Sequence, residues 1–260
     1  MEFLRPYEDY LKWALKNETT TEECKEHLLG RLSGLFPHIS TWDELQDAVK
    51  IYFEERGYHL AFGVMQPYPT LCLWSKETVR TVPVEIPEGT IEIEVREMDG
   101  VITGGWLDYL SFGRVGAGGW VTAKGTNYFK GKYDTASDDF QISLLKHEGQ
   151  HFFDLKNHPK MQSTDLEYRA KLVELIYYKD MGCFFAFFAN MSNDDSKTYP
   201  HAYAERKIVQ GLSAKIFGRD LEKCRDLWMA EKEKVPAATL ELLKEHSKIL
   251  AGWDGESSIT

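Results

Sequence analysis

Residues 146–153 read Lys146-His147-Glu148-Gly149-Gln150-His151-Phe152-Phe153 and contain the pattern H-E-x-x-H. On a helix, residues four apart lie one above the other on the same face, so His147 and His151 can reach one metal ion together. Glu148 then sits beside that ion, placed to take a proton from a metal-bound water. The flanks favour a helix. Ile142, Leu144, Leu145 and Phe152 are apolar at near-helical spacing, and Ser137, Asp138 and Asp139 offer caps and negative charge at its start. The competing interpretation is two histidines that merely pack on a helix face. It is the weaker one, because this spacing carries a mechanism.

Working outward, residues 137–251 read as helix almost throughout. A second helix starts near Thr164 and runs towards Asn190, a third opens at Pro200, a fourth follows Arg219-Asp220, and a last one runs from Pro236 to about Ala251. The run Phe184-Phe185-Ala186-Phe187-Phe188 reads as core packing rather than a ligand pocket. Upstream, residues 58–133 are rich in β-branched and aromatic residues punctuated by Pro and Gly. The clearest strand is residues 90–96, where Ile91, Ile93 and Val95 alternate with Glu92, Glu94 and Arg96. The first 57 residues are helical again, with Leu4, Tyr7, Leu11 and Ala14 on one face. Thr20/Glu23 and Thr41/Glu44 form two capping boxes, and Gly57 is a natural stop. The expected organisation is an α+β chain. Residues 1–57 form an N-terminal helical subdomain, 58–135 the β-rich part of a catalytic domain, 136–251 its helical metal-binding part, and 252–260 a flexible tail.

A catalytic zinc takes three protein ligands and leaves a fourth position open. One family supplies the third ligand as a histidine six residues after the second motif histidine, following a glycine at the third position. Here those positions hold Asn157 and Asp154, and His158 is one residue out of register. The other common solution is a glutamate on a following helix. Glu167 lies sixteen residues past His151, within Asp165-Leu166-Glu167-Tyr168-Arg169-Ala170.

Over roughly residues 137–215 the chain resembles the glutamate-zincin (gluzincin) metallopeptidases. In these, H-E-x-x-H is followed by a helix bearing a ligand Glu with a small residue three positions on, here Ala170. More narrowly, residues 147–154 and 167–175 look like small bacterial proteins assigned to that clan. The resemblance implies a zincin-like core, in which a mixed or antiparallel sheet lies beside the active-site helix and the helices after it. It implies zinc held by His147, His151 and Glu167, with Glu148 as general base and later proton donor. Glu167 also fits a capping box with Thr164, and Glu174, two turns further on, is a rival ligand. Thermolysin-like members carry an aspartate four residues after the ligand Glu, where it orients a histidine; here that place is Lys171. Asp154, one turn below His151, is either a carboxylate behind a ligand or a solvated residue near a helix end. Families of this kind stabilise the developing oxyanion with a Tyr or His beyond the third ligand. His201 is the first candidate here, Tyr203 the second, and Tyr168 stands close to its own ligand position. The resemblance also suggests a sheet edge that binds substrate as an added strand, either residues 118–122 or residues 126–129.

Apolar and charged contents of 43% and 28% are those of an ordinary globular protein. The formal net charge of −10 argues against nucleic acid or an anionic membrane surface as main partner. The stretch 172–189 is the most apolar, but Glu174, Lys179 and Asp180 interrupt it and make it a poor membrane span. Cys24, Cys72, Cys183 and Cys224 form no C-x-x-C pair, and no basic region followed by an apolar run opens the chain. Both features fit a cytoplasmic protein. The expected function is a zinc-dependent hydrolase acting on a peptide or protein substrate. The alternatives are a zinc-binding interaction or regulatory protein without turnover, and a zinc amidase acting on a small molecule.

Overall fold

The structure is a computed structural model that describes residues 2–114, 118–122, 125–193, 195–253, 255 and 257–260. It is α+β, and its elements follow the hydrophobic patterning. Three helices come first, α1 (Leu4–Ala14), α2 (Thr21–Leu32) and α3 (Trp42–Glu54). Both capping boxes form: the Thr20 and Thr41 hydroxyls accept from the amides of Glu23 and Glu44, whose carboxylates return the bond. Gly57 takes the left-handed conformation (φ 75°) that ends α3. Five strands follow, β1 (His59–Met65), β2 (Tyr68–Ile86), β3 (Gly89–Gly104), β4 (Gly119–Thr122) and β5 (Gly125–Phe129), with the short helix α4 (Trp106–Leu110) between β3 and β4.

The sheet order is β1-β2-β3-β5-β4. β1 and β2 are antiparallel, in a register running from His59 opposite Trp74 to Met65 opposite Tyr68. β4 is therefore an edge strand and β5 an interior one, so of the two candidate edges only residues 119–122 lie at a margin of the sheet. On β3 the expected alternation appears: Ile93 and Val95 are buried while Glu92 is exposed. Gly125 allows a close approach, because a Cβ there would collide with the carbonyl oxygen of Glu94.

The chain divides into two compact units. One comprises Met1–Val79, Arg96–Trp120 and Asn127–Lys132; the other comprises Arg80–Val95, Val121–Thr126 and Tyr133–Thr260. In the first, Tyr7, Leu11, Leu28, Leu45, Val49 and Phe53 of α1–α3 bury Leu71 and Leu73 of β2. The Tyr7 hydroxyl accepts the Leu71 amide at 2.8 Å.

The second unit is mainly helical. A π-helical segment, Asp139–Lys146, runs directly into α5 (His147–Asn157). The helix that carries the histidines thus starts near the expected place, where the Ser137 hydroxyl accepts the Phe140 amide at 3.2 Å, but with a wider turn than the pattern suggested. The expected helix from Thr164 to Asn190 is two: α6 (Ser163–Tyr177) and α7 (Gly182–Asn190). The break has a local cause. Tyr178 is extended (φ −66°, ψ 132°), and the Asp180 carboxylate accepts the Gly182 amide at 2.6 Å and starts the new helix. Next come α8 (Pro200–Phe217), α9 (Arg225–Ala230) and α10 (Val235–Leu250). α8 has Pro200 at its first turn, as expected, and Gly218 as a left-handed stop. α9 starts later than its sequence signal, because Glu222 first accepts the Cys224 amide and pairs with Arg219.

α6 is the central element, packed against α5, α8 and α10. Every residue from Tyr168 to Leu175 is buried. Its charged residues must therefore be paired. Lys171 meets Glu205 of α8 at 2.9 Å, and Arg169 meets Asp154 of α5 at 2.9 Å as well as Glu88. Asp165 accepts the amides of Ile259 and Thr260 and the Thr260 hydroxyl. Phe184 and Phe187 are buried, with Phe184 against Trp228 at 4.6 Å, which is the core role read for that aromatic run. Among the described residues no helix is long and apolar enough to cross a membrane, and all four cysteines are free.

Candidate metal centre

The second unit holds the candidate site. His147 opens α5 and His151 follows one turn later, so both imidazoles leave the same face, with ring centroids 4.7 Å apart and planes at 86°. Their Nε2 atoms stand 3.1 Å apart. α6 crosses that face and brings Glu167 to it: Oε2 lies 3.5 Å from His147 Nε2 and Oε1 lies 3.5 Å from His151 Nε2. The helix can come this close to the sheet because the intervening motif residue is Gly149, where an added Cβ would stand 3.0 Å from a methyl of Val84 on β2.

Glu148 points along the rim, its carboxylate 4.0 Å from His151 Nε2. His147, Glu148 and His151 each offer a ligand-type atom within 4.8 Å of the others. Glu167 comes nearer to the two imidazoles than Glu148 does, with a different oxygen against each, whereas the three residues whose single ligand-type atoms all lie close together are His147, Glu148 and His151. Glu174, the rival to Glu167, meets the other side of the His147 ring: its Oε1 is 2.6 Å from Nδ1. It thus backs the His147 ring rather than sharing the side that faces His151 and Glu167.

The donor set passes a simple test of fit. Two ligands about 2.0–2.1 Å from a tetrahedral ion stand roughly 3.3–3.4 Å apart; here the imidazoles are 3.1 Å apart, and Glu167 stands 3.5 Å from each through a different oxygen. Imidazole, imidazole and carboxylate are also the donor types that suit zinc. Two buried atoms of the set, His151 Nδ1 and Glu167 Oε2, have no hydrogen-bond partner among the described residues. An ion drawing on Glu167 would compensate that oxygen.

The electrostatics are those of compressed opposite charges. Burial is the largest influence on Glu167 and would raise its pKa. The hydrogen bond from His151 and the nearby imidazoles outweigh it and hold the carboxyl well below its usual range. Glu174 is lowered in the same way, against burial, by His147, Lys171 and Ser143. Burial raises Glu148, and the pull of His147 and His151 offsets this only in part. That is the direction that makes a carboxylate a better base.

His201, at the start of α8, comes to the site. Its Nδ1 is 2.9 Å from Glu167 Oε2 but out of hydrogen-bonding direction, and its side chain is 66% exposed, against 14% for Glu167. The other two oxyanion candidates pack elsewhere. Tyr203 is buried beneath the ammonium groups of Lys197 and Lys207, 5.1 and 5.2 Å from its ring, and Tyr168 lies against His246 at 5.2 Å.

Two readings of neighbouring residues are corrected. Asp154 is neither a solvated residue nor the carboxylate behind His151. It is fully buried, binds Arg169 Nε through both oxygens at 2.9 Å, and accepts from Gln150 at 3.0 Å. Burial pushes its pKa up to about 6 in spite of the Arg169 charge. Thr164 makes no capping box with Glu167; α6 already begins at Ser163, and the Thr164 hydroxyl faces that of Ser258 at 3.1 Å. Sequence reasoning missed the support of His147 by Glu174 and the part played by Ser143. The available signal was spacing: Glu167 and Glu174 are two helical turns apart on one face, and Ser143 is one turn before His147.

Comparison with family models, with curated proteins and with solved structures finds no match for this chain.

Proposed function

We propose that the chain is a zinc-dependent hydrolase, with His147, His151 and Glu167 as metal ligands and Glu148 as general base. The observation that carries this is that the two Nε2 atoms stand 3.1 Å apart with one oxygen of the Glu167 carboxylate 3.5 Å from each, in a largely buried cluster. Glu148 stands at its rim. Zinc held there would polarise a carbonyl and acidify a water molecule. Glu148, made more basic by burial, accepts a proton from the attacking water and returns it to the leaving amine. His201, on the exposed side of Glu167, is the imidazole available to donate to an oxyanion. The gluzincin-like pattern of the sequence supports peptide bonds as the substrate class.

The test begins with metal content by mass spectrometry for wild type, His147→Ala, Glu167→Ala and Glu174→Ala, purified without a metal-chelating tag. One zinc per chain is expected, lost with His147 or Glu167 and retained more weakly with Glu174→Ala. Glu148→Gln is expected to lower hydrolysis of a peptide library by about 100-fold or more while zinc stays bound. Hydrolysis that survives this change would defeat the mechanism.

A second reading, a closed metal site without turnover, is favoured by one observation: His201 Nδ1 stands 2.9 Å from Glu167 and offers a fourth ligand, the third nitrogen. His201→Ala separates the two. In the hydrolase it lowers turnover and leaves metal affinity unchanged, whereas in a closed site it weakens metal binding.

A further inference from the structure

Ser143 stands in the π-helical segment one turn before His147, facing the C-terminal end of α6. Its hydroxyl donates to Glu174 Oε2 at 2.8 Å and lies 2.9 Å from the Tyr178 hydroxyl. Tyr178 in turn reaches Asp139, at the start of the same π-helical segment, at 3.0 Å. A line of close polar contacts thus runs from His147 Nδ1 through Glu174, Ser143 and Tyr178 to Asp139.

Proton counting orders the line. The Glu174 and Asp139 carboxylates only accept, so the Ser143 proton points to Glu174, and the single phenol proton goes either to Asp139 or to Ser143, one at a time. Burial, helped by the bond to Asp139 and opposed by the one with Ser143, pushes the Tyr178 phenol up to about 12, so that proton is in place at neutral pH. The geometry has a mechanical consequence. A glutamate held only through Oε1 remains free to rotate about its long side chain, and it would carry the imidazole with it. Anchoring Oε2 as well fixes the carboxylate plane, and a fixed carboxylate on Nδ1 fixes both the tautomer and the aim of Nε2. Two local irregularities serve this arrangement: the wider turn that carries Ser143, and the extended Tyr178 that ends α6.

We propose that Ser143 and Tyr178 are positioning residues for the metal centre, clamping Glu174 so that it holds the His147 ring with Nε2 towards His151 and Glu167. The proposal rests on the metal reading above. The experiment measures zinc and cobalt(II) affinity, by competition with a chromophoric chelator, for six proteins: wild type, Glu174→Gln, Ser143→Ala, Ser143→Thr, Tyr178→Phe, and the double variant Ser143→Ala/Glu174→Gln. The visible cobalt spectrum and the melting temperature of each metal-free protein are recorded alongside.

Glu174→Gln is expected to weaken binding by about 10–100-fold, Ser143→Ala by about tenfold and Tyr178→Phe by roughly threefold, each with an altered cobalt spectrum. Ser143→Thr keeps the hydroxyl and restores affinity. In the Glu174→Gln background, Ser143→Ala adds less than about twofold, because its effect passes through that carboxylate. Wild-type affinity and spectrum in both Ser143→Ala and Tyr178→Phe overturn the proposal, as does an undiminished Ser143→Ala loss in the double variant. If Ser143→Ala does not fold, Tyr178→Phe decides alone, since its hydroxyl lies towards the outer end of that line. A wild type that binds neither metal is a different failure, of the metal reading itself.

Discussion

At the scale of single residues the centre is a problem of proton occupancy. Burial, the largest influence on His151, opposes its charge, but the hydrogen bond and charge of Glu167, with Glu148 and Asp154 behind, leave its pKa raised. A raised histidine pKa means that at neutral pH the protein carries more proton on His151, a ligand in the proposed centre, than a free histidine would. Metal needs the neutral ring, so binding must expel that proton. Apparent zinc affinity should therefore fall as pH is lowered through 7 towards 6, by up to about tenfold per pH unit for each proton displaced. Calorimetry at pH 7 in two buffers of different ionisation heat reads the released protons directly, and finding none would contradict the coupling between His151 and Glu167. Part of this centre was legible beforehand. The H-E-x-x-H spacing put His147, Glu148 and His151 together, and the family resemblance implied Glu167. Glu174 was harder, because residues seven apart share a helical face and spacing cannot tell them apart. They differ in which imidazole nitrogen each one meets, and that depends on how α6 lies against α5.

At the scale of elements, the joint between α5 and α6 is built on charge. Asp154 and Arg169 are both fully or almost fully buried, and the guanidinium also meets Glu88 and the Ser247 hydroxyl. Removing one partner of a buried pair leaves the other uncompensated, at a cost of about 3–5 kcal/mol. Arg169→Met should destabilise the metal-free protein by about that amount in urea denaturation. Asp154→Leu combined with Arg169→Met should recover part of the loss, though Glu88 then remains without its partner. A single Arg169→Met variant as stable as wild type would show that the pair holds nothing. None of this was visible in the sequence, where Asp154 read either as a carboxylate behind a ligand or as a solvated helix-end residue. A local pattern records which face of a helix a residue occupies, and says little about a partner fifteen positions away on another helix. The break after Tyr177 was not anticipated either: Lys179 and Asp180 interrupt the apolar run there, but it is the turn made by Asp180 and Gly182 that divides the helices.

At the scale of the whole molecule, the composition reads as helix, then sheet, then helix, and a boundary after residue 57 follows from it. Compactness divides the chain differently. Met1–Val79 belongs to one unit, so α1–α3 share a unit with β1 and the first half of β2. The reason is burial. Leu71 and Leu73 are fully covered by the helical core, and Leu60, Phe62 and Tyr68 pack partly against it. Strand residues that alternate in sequence do not announce which helices will cover them, so this partnership appears only in three dimensions. It carries a prediction. A variant lacking residues 1–57 should leave that apolar face of β1 and β2 open to water, at about 1.5–3 kcal/mol for each large side chain fully uncovered. A patch of this kind drives association. The variant should therefore elute from size exclusion as aggregate and bind a hydrophobic dye strongly. A monodisperse fragment with little dye binding would mean that the strands need no helical cover, and the boundary after residue 57 would then be a true domain boundary.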